Sequence, residues 1–249
     1  MRKPIIKLAL FSVLILAMIA GCGLLQEPAA PSEPIEAVPL TVEPSPTKAS
    51  VTDAAPANEA ASAETDTTVT TADPAIFQIS QADSQVRFQL DEDLRGQRKT
   101  VIGVTDQIAG ELALNFADLS SAQVGVIRIN ARTLATDNDF RNRAIQNQIL
   151  DTGDYEFITF TPTAVTNLPN SVTIGEPVTF SITGDLTIRD ITHEVTFEVT
   201  ATAVSETQIS GTATATVLRS DYDLRIPEVP NVANVEEEVD LIIDFVANS

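Results

Sequence analysis

Three groups of residues carry side chains with chemistry to offer. The first is Cys22, the only cysteine, preceded by Ile19-Ala20-Gly21. A single thiol forms no disulfide framework, but it can accept a diacylglycerol, and small residues before it suit a narrow peptidase groove. The second is His193, the only histidine. Any His-based triad would have to use it, and a multi-histidine metal site is excluded. By strand parity it shares a face with Val195 and Phe197, near a strand start; the simpler reading is a strand-end residue with a satisfied hydrogen bond. The third group is Arg141, Arg143, Arg189, Arg219 and Arg225. Gathered at one rim, they would meet a polar or phosphate head group. Paired with Asp139, Asp190 and Asp221, they would only hold loops.

Other constellations fall away on inspection. Asp137-Asn138-Asp139 begins like a calcium loop, but Asn142 and Gln148 occupy the positions that need Gly and Glu, so an EF-hand is rejected. Glu236-Glu237-Glu238 reads as a solvated turn. The sequence holds no Gly-rich phosphate loop, zinc motif or nucleophile elbow. No cofactor and no metal are therefore expected.

The elements that would position these residues begin with an export signal. Arg2, Lys3 and Lys7 precede an uncharged stretch, residues 8–20, that ends at the small residues before Cys22. A basic start, a short apolar core and a small-residue cut site make a signal peptide over residues 1–21. The run is shorter than the ~20 apolar residues of a spanning helix. Ile19-Ala20-Gly21-Cys22 resembles the lipobox of bacterial lipoproteins, which makes Cys22 the expected lipidation site and places the rest outside the cytoplasm. Each buried CH₂ of an acyl chain contributes about 0.8 kcal/mol, so two or three chains hold a protein firmly.

Residues 23–73 are rich in Pro, Ala, Thr, Ser and Glu and poor in bulky apolar side chains. Such a segment buries too little surface to offset its ordering entropy. With Cys22 it is expected to form a lipidated, disordered linker over residues 22–73. Fully extended at ~3.3 Å per residue it would span roughly 170 Å. The chain carries 15 basic and 35 acidic residues, a formal charge of −20. Residues 74–249 keep 11 basic and 26 acidic residues. That balance excludes nucleic acid as a partner and disfavours electrostatic docking on anionic lipid.

From residue 74 onward, alternation of period two dominates. Val86, Phe88 and Leu90 alternate with polar residues, as do Val178, Phe180 and Ile182, then Val195, Phe197, Val199 and Ala201, then Leu241, Ile243 and Phe245. Residues 108–115 and 209–216 read as two further strands. Turns fall at residues 167–170, 175–177 and Arg189-Asp190. One helix is expected, capped by Thr136 or Asp137, with Phe140, Ala144, Ile145 and Gln148 on one face and an end near Leu150. Residues 226–235, with Pro227 and Pro230, should be irregular. Seven to nine strands with one helix fit a barrel or a sandwich.

Residues 76–246 resemble the YceI-like domain. The resemblance runs through Ser84-Gln85-Val86-Arg87-Phe88, Ile127-Arg128-Ile129-Asn130, Thr136-Asp137-Asn138, Arg141-Asn142 and Tyr155-Glu156-Phe157-Ile158-Thr159-Phe160. It continues through Gly184-Asp185-Leu186-Thr187-Ile188-Arg189-Asp190-Ile191-Thr192, Arg219-Ser220-Asp221-Tyr222 and residues 239–245. It departs at Asn142, where the family often has Asp, and at Ile188-Arg189-Asp190, where Ile-x-Gly is commoner. What it implies is an all-β fold: an eight-stranded antiparallel lipocalin-like barrel with one short helix, over residues 74–249. It further implies non-enzymatic binding of an isoprenoid or similar long apolar lipid, polyprenyl or quinone in type, inside the barrel.

An eight-stranded barrel has room for its own side chains or for one slender ligand. The expected lining is Phe88, Phe180, Ile182, Val195, Phe197, Val199, Ile243 and Phe245. Head-group contacts would fall to Arg141, Arg189, His193 and Arg219. The alternative is a barrel filled by its own side chains, a packed surface domain for protein contacts or envelope stress tolerance. A homodimer is left open, and the membrane enters as partner through Cys22.

Overall fold

The computed structural model describes residues 26–40 and 74–249. The export signal, Cys22 and residues 41–73 lie outside the described residues. The folded part is one antiparallel meander. Its strands are β1 (Ala75–Ile79), β2 (Gln85–Leu94), β3 (Gln97–Thr105), β4 (Ile108–Ala109), β5 (Glu111–Leu114), β6 (Gln123–Val124) and β7 (Ile127–Asn130). They continue with β8 (Phe157–Thr166), β9 (Pro177–Ile188), β10 (Ile191–Ser205), β11 (Gln208–Leu218), β12 (Val232–Ala233) and β13 (Glu238–Asn248).

These strands make eight runs, as the resemblance implies. β1 and β2 form one run broken by a 3₁₀ turn at Gln81–Asp83; both halves pair with β13. β3, β4 and β5 form the second run, pairing back to β2 and β1. β6 and β7 form the third, against β5 and β4. β8, β9, β10, β11 and β13 follow in order, each pairing with the next. Because β13 also pairs with β2, the ring closes and hides the sheet edges. A closed ring decides between barrel and sandwich.

Period-two alternation is what makes this ring possible: one face of each strand enters the core and the other meets water. β10 shows it plainly. Phe197, Val199, Ala201 and Ala203 are buried, while Thr196, Glu198 and Thr200 are exposed. Outer faces are tied by polar pairs across strands, such as Thr183–Thr196 (2.8 Å) and Thr216–Asp240 (2.7 Å).

The two ends of the ring differ. At one end lie the β2–β3 turn, the β9–β10 turn at Arg189-Asp190, the loop 223–237 and the helical excursion between β7 and β8. This is the mouth end; the opposite end is the base. The helix α1 (Asp139–Ala144) is capped by Asn138, whose side chain accepts from the Phe140 and Arg141 amides. Asn138 takes the place of the expected caps Thr136 and Asp137, with a φ of −141° that gives the extended entry a cap needs. Thr136 instead donates its hydroxyl to Asn142 Oδ1 at 2.7 Å. Past Ala144 the coil widens into a π-helical turn, Ile145–Ile149, and stops at Leu150. The loop 223–237 is irregular except at β12, which pairs with the end of β2.

Residues 26–40, within the segment expected as a disordered linker, lie against the outside of the barrel as a strap. Asn147 donates to the Gln26 carbonyl (2.8 Å), and Arg132 donates to the Ala30 carbonyl (3.0 Å). Ser32 donates from both amide and hydroxyl to the Glu156 carboxylate, at 2.8 and 2.6 Å. Gln81 donates to the Ile35 carbonyl, and the Leu40 amide donates to Glu111, both at 2.8 Å. Ile35 is only 3% exposed, a burial worth about 1.5–3 kcal/mol. Backbone groups meeting fixed side chains hold the rest. Composition carries no trace of such partners, since they lie 46 to 124 residues away.

Candidate functional site

The barrel is hollow toward the mouth. A cavity of about 460 Å³ occupies that half, within the range of small-molecule sites. Its walls include Phe88 and Leu90 of β2, Val101 of β3, Ile158 of β8, Leu186 and Ile188 of β9, Val217 of β11 and Leu241 of β13. Its roof is the helical excursion, through Ala144, Ile145, Ile149 and Leu150, together with Leu224, Ile226, Pro227, Val229, Pro230, Val232 and Val235 of the loop. Its floor is Phe160, Phe197 and Ile243, which also line a second cavity of about 70 Å³ on the base side. The Phe160 and Phe197 rings meet edge to face, centroids 5.0 Å apart, a favourable aromatic geometry.

Small residues explain the hollow. Phe88 faces Gly103 across the β2–β3 pair, and a Cβ on Gly103 would sit 2.0 Å from the Phe88 ring. The ring therefore lies flat on bare backbone instead of crossing the lumen. The floor ring Phe160 also sits over a glycine, its tip 2.8 Å from the Gly184 Cβ position. Val86, Val101 and Val217 add little volume to the remaining wall.

Polar groups are few. Among the cavity's lining residues only Arg87, Glu92, Asn138, Arg141 and Arg219 are polar. Arg141 bonds Glu92 at 2.8 Å and Asp137 at 2.7 Å. Glu92 is 6% exposed, so each charge is compensated by its neighbour. Lys99 donates to Asp137 at 2.6 Å. That bond, with Arg141 behind it, holds the Asp137 carboxyl below its usual range. Arg219 is fully engaged in fastening the roof: it donates to the carbonyls of Glu236 (2.7 Å) and Leu224 (3.0 Å) and to the Glu237 carboxylate (2.8 Å). Arg98 pins the same loop from the β2–β3 hairpin through Glu236.

The structure divides the expected site residues. Phe88, Phe197 and Ile243 line the large cavity; Phe180, Ile182, Val199 and Phe245 lie on the base side, around the small one. Val195 lines neither and packs, half-buried, against the core. Arg141 and Arg219 reach the large cavity; Arg189 and His193 do not. Arg189 lies 5.8 Å from the Tyr155 ring. His193 Nε2 is 2.8 Å from the Asp221 carbonyl, and its ring sits edge-on to Tyr222. These contacts close the gap where β10 and β11 part. Arg225 pairs with Asp223 at 2.9 Å, and Arg143 faces the Phe140 ring at 6.0 Å.

The residues that strand alternation missed are those of the roof. One signal was available: Ile226, Val229, Val232 and Val235 recur every third residue. An extended chain with three residues per turn places such a set on one side.

The fold has known counterparts. The family model described as YceI-like domain matches residues 77–247. A polyisoprenoid binding domain from Saccharophagus degradans, implicated in plant cell wall breakdown, is 14% identical and superposes with a TM-score of 0.55, covering 70% of this chain and 98% of that one. The protein BcnA of Burkholderia cenocepacia is 18% identical, with a TM-score of 0.54, covering 68% of this chain and 99% of that one. At these identities the likeness is one of fold. No curated protein matches the sequence. With well over half of its length matched and the barrel closed, the chain belongs to the YceI-like family.

Proposed function

We propose that this chain is a non-enzymatic carrier of a long apolar lipid, isoprenoid in type, taken tail first into the mouth-end chamber. The observation that carries the reading is the 460 Å³ cavity itself: apolar, floored, and open where Phe140 and Val229 are exposed. Every 100 Å² of tail removed from water contributes about 2.5 kcal/mol before binding costs. The likeness in fold to the polyisoprenoid binding domain of Saccharophagus degradans supports the same ligand class. Arg141, Glu92 and Asn138 are the polar groups available to a head group. Because Arg141 is already compensated, a neutral head such as an alcohol or quinone carbonyl fits better than a pyrophosphate. Lipidation at Cys22 would hold the carrier on the extracytoplasmic side of a membrane.

The test is to isolate the full chain from a bacterial membrane fraction and extract what it holds. One apolar lipid per protein, lost when the barrel unfolds, is the expected result. A protein that carries nothing and takes up none of a panel of polyprenols and quinones belongs to the packed-domain reading instead.

A further inference from the structure

The strap sets where the cavity mouth can be. Gln26 docks on Asn147, in the π-helical turn whose Ile145 and Ile149 roof the chamber. Leu40 leaves at Glu111, beside the base. The strap thus runs from mouth to base, with its N-terminal end at the mouth. Only Gly23, Leu24 and Leu25 separate Gln26 from Cys22, a span of at most ~15 Å. A linker of 51 residues would tether the barrel without orienting it; a three-residue connection to the roof orients it. At that end Phe140, 66% exposed, and Val229, 42% exposed, both border the mouth. Arg143 beside Phe140 suits the head-group level, where a long cationic side chain keeps its charge in water. Ile174 and Val204 are also exposed, but they lie at the base, out of reach of so short a connection.

Resting on the reading of Cys22 as a lipid anchor, we propose that the strap holds the barrel mouth-first on the lipid bilayer, with Phe140 and Val229 entering its surface. A lipid then passes between membrane and chamber without crossing water. Docking here is by apolar insertion, which a chain of charge −20 does not need anionic lipid to achieve.

The chain has no tryptophan, so one introduced residue reports alone. Phe140→Trp and Val204→Trp are placed in the full lipidated chain and reconstituted into phosphatidylcholine vesicles with brominated acyl chains. Flotation with the vesicles reads anchoring separately. The expected result is flotation of both proteins, a blue-shifted Phe140→Trp emission quenched several-fold more than that of Val204→Trp, and loss of that difference when Ile35→Asp releases the strap. A lipid merely occupying the chamber would quench Phe140→Trp with or without the strap, so persistence of quenching in Ile35→Asp overturns the proposal. So does equal quenching at both ends while the proteins float, which leaves the anchor reading standing. Failure to float overturns both.

Discussion

The two halves of this barrel are built from the same strands and the same kinds of side chain, yet one encloses about 460 Å³ and the other about 70 Å³. At the base, Phe180, Ile182, Val199 and Phe245 converge beneath the Phe160–Phe197 floor, and the short strands β1, β4, β5 and β6 draw the wall in. Toward the mouth the ring loosens. β9 and β10 pair from Ile188–Ile191 onward, but β10 and β11 pair only from Glu198–Thr214 toward the base. Inserted segments, not strands, complete the upper wall, and Phe88 lies flat on Gly103. An apolar inward face is common to both halves, and each holds a ring seated on a glycine, Phe88 on Gly103 and Phe245 on Gly211; what differs is what completes the wall, inserted segments above and paired strands below.

The largest expected effect breaks the polar side of the comparison. Glu92→Ala leaves Arg141 partly buried and opposed only by Asp137, and should cost about 3 kcal/mol of stability in denaturant titration. Next come two matched insertions. Val199→Trp overfills the base and should cost about 1–3 kcal/mol. Leu241→Trp enters the hollow half, should cost less than about 1 kcal/mol, and should abolish lipid uptake. If both variants lose stability alike, the halves do not differ in packing. Gly103→Ala sharpens the point: the new methyl displaces the Phe88 ring into the chamber, so lipid capacity should fall while the melting temperature changes little.

How far the sequence carried the fold follows from the same contrast. Alternation in β2, β9, β10 and β13 is local, and so were the Arg189-Asp190 turn and the helix ending at Leu150. Chamber depth was not, because Phe88 and Phe245 obey the same alternation and each faces a glycine across the sheet, Gly103 and Gly211, so nothing local tells the hollow half from the filled one. The roof was missed because Ile226 to Val235 follow a period of three inside a segment marked irregular by its prolines. Phe140, placed on the apolar face of the helix, is exposed because that face looks onto an open mouth. The strap was illegible because its anchors, Glu156, Arg132 and Gln81, are remote in sequence.

The smallest expected effect concerns the strap. Burial alone would raise the Glu156 carboxyl, but the hydroxyl and amide of Ser32, then Asn130 and Arg132, override it and hold it below its ordinary 4.5. A carboxyl depressed in the folded state contributes stability that is present above its ordinary value and lost as pH falls through the depressed one. Proteolysis within residues 26–40 should therefore accelerate below pH 4.5, while Glu156→Gln, which keeps the size but weakens the Ser32 bonds, should show faster cleavage at neutral pH.

The central claim, that the upper half is a lipid chamber and the lower half is core, is tested most directly by native mass spectrometry of the full chain and its two tryptophan insertions, prepared alike. The expected result is one apolar adduct per wild-type protein, none on Leu241→Trp, and retention on whatever fraction of Val199→Trp remains folded. An adduct that survives Leu241→Trp unchanged, or a wild-type protein that holds none after exposure to polyprenols and quinones, would contradict it.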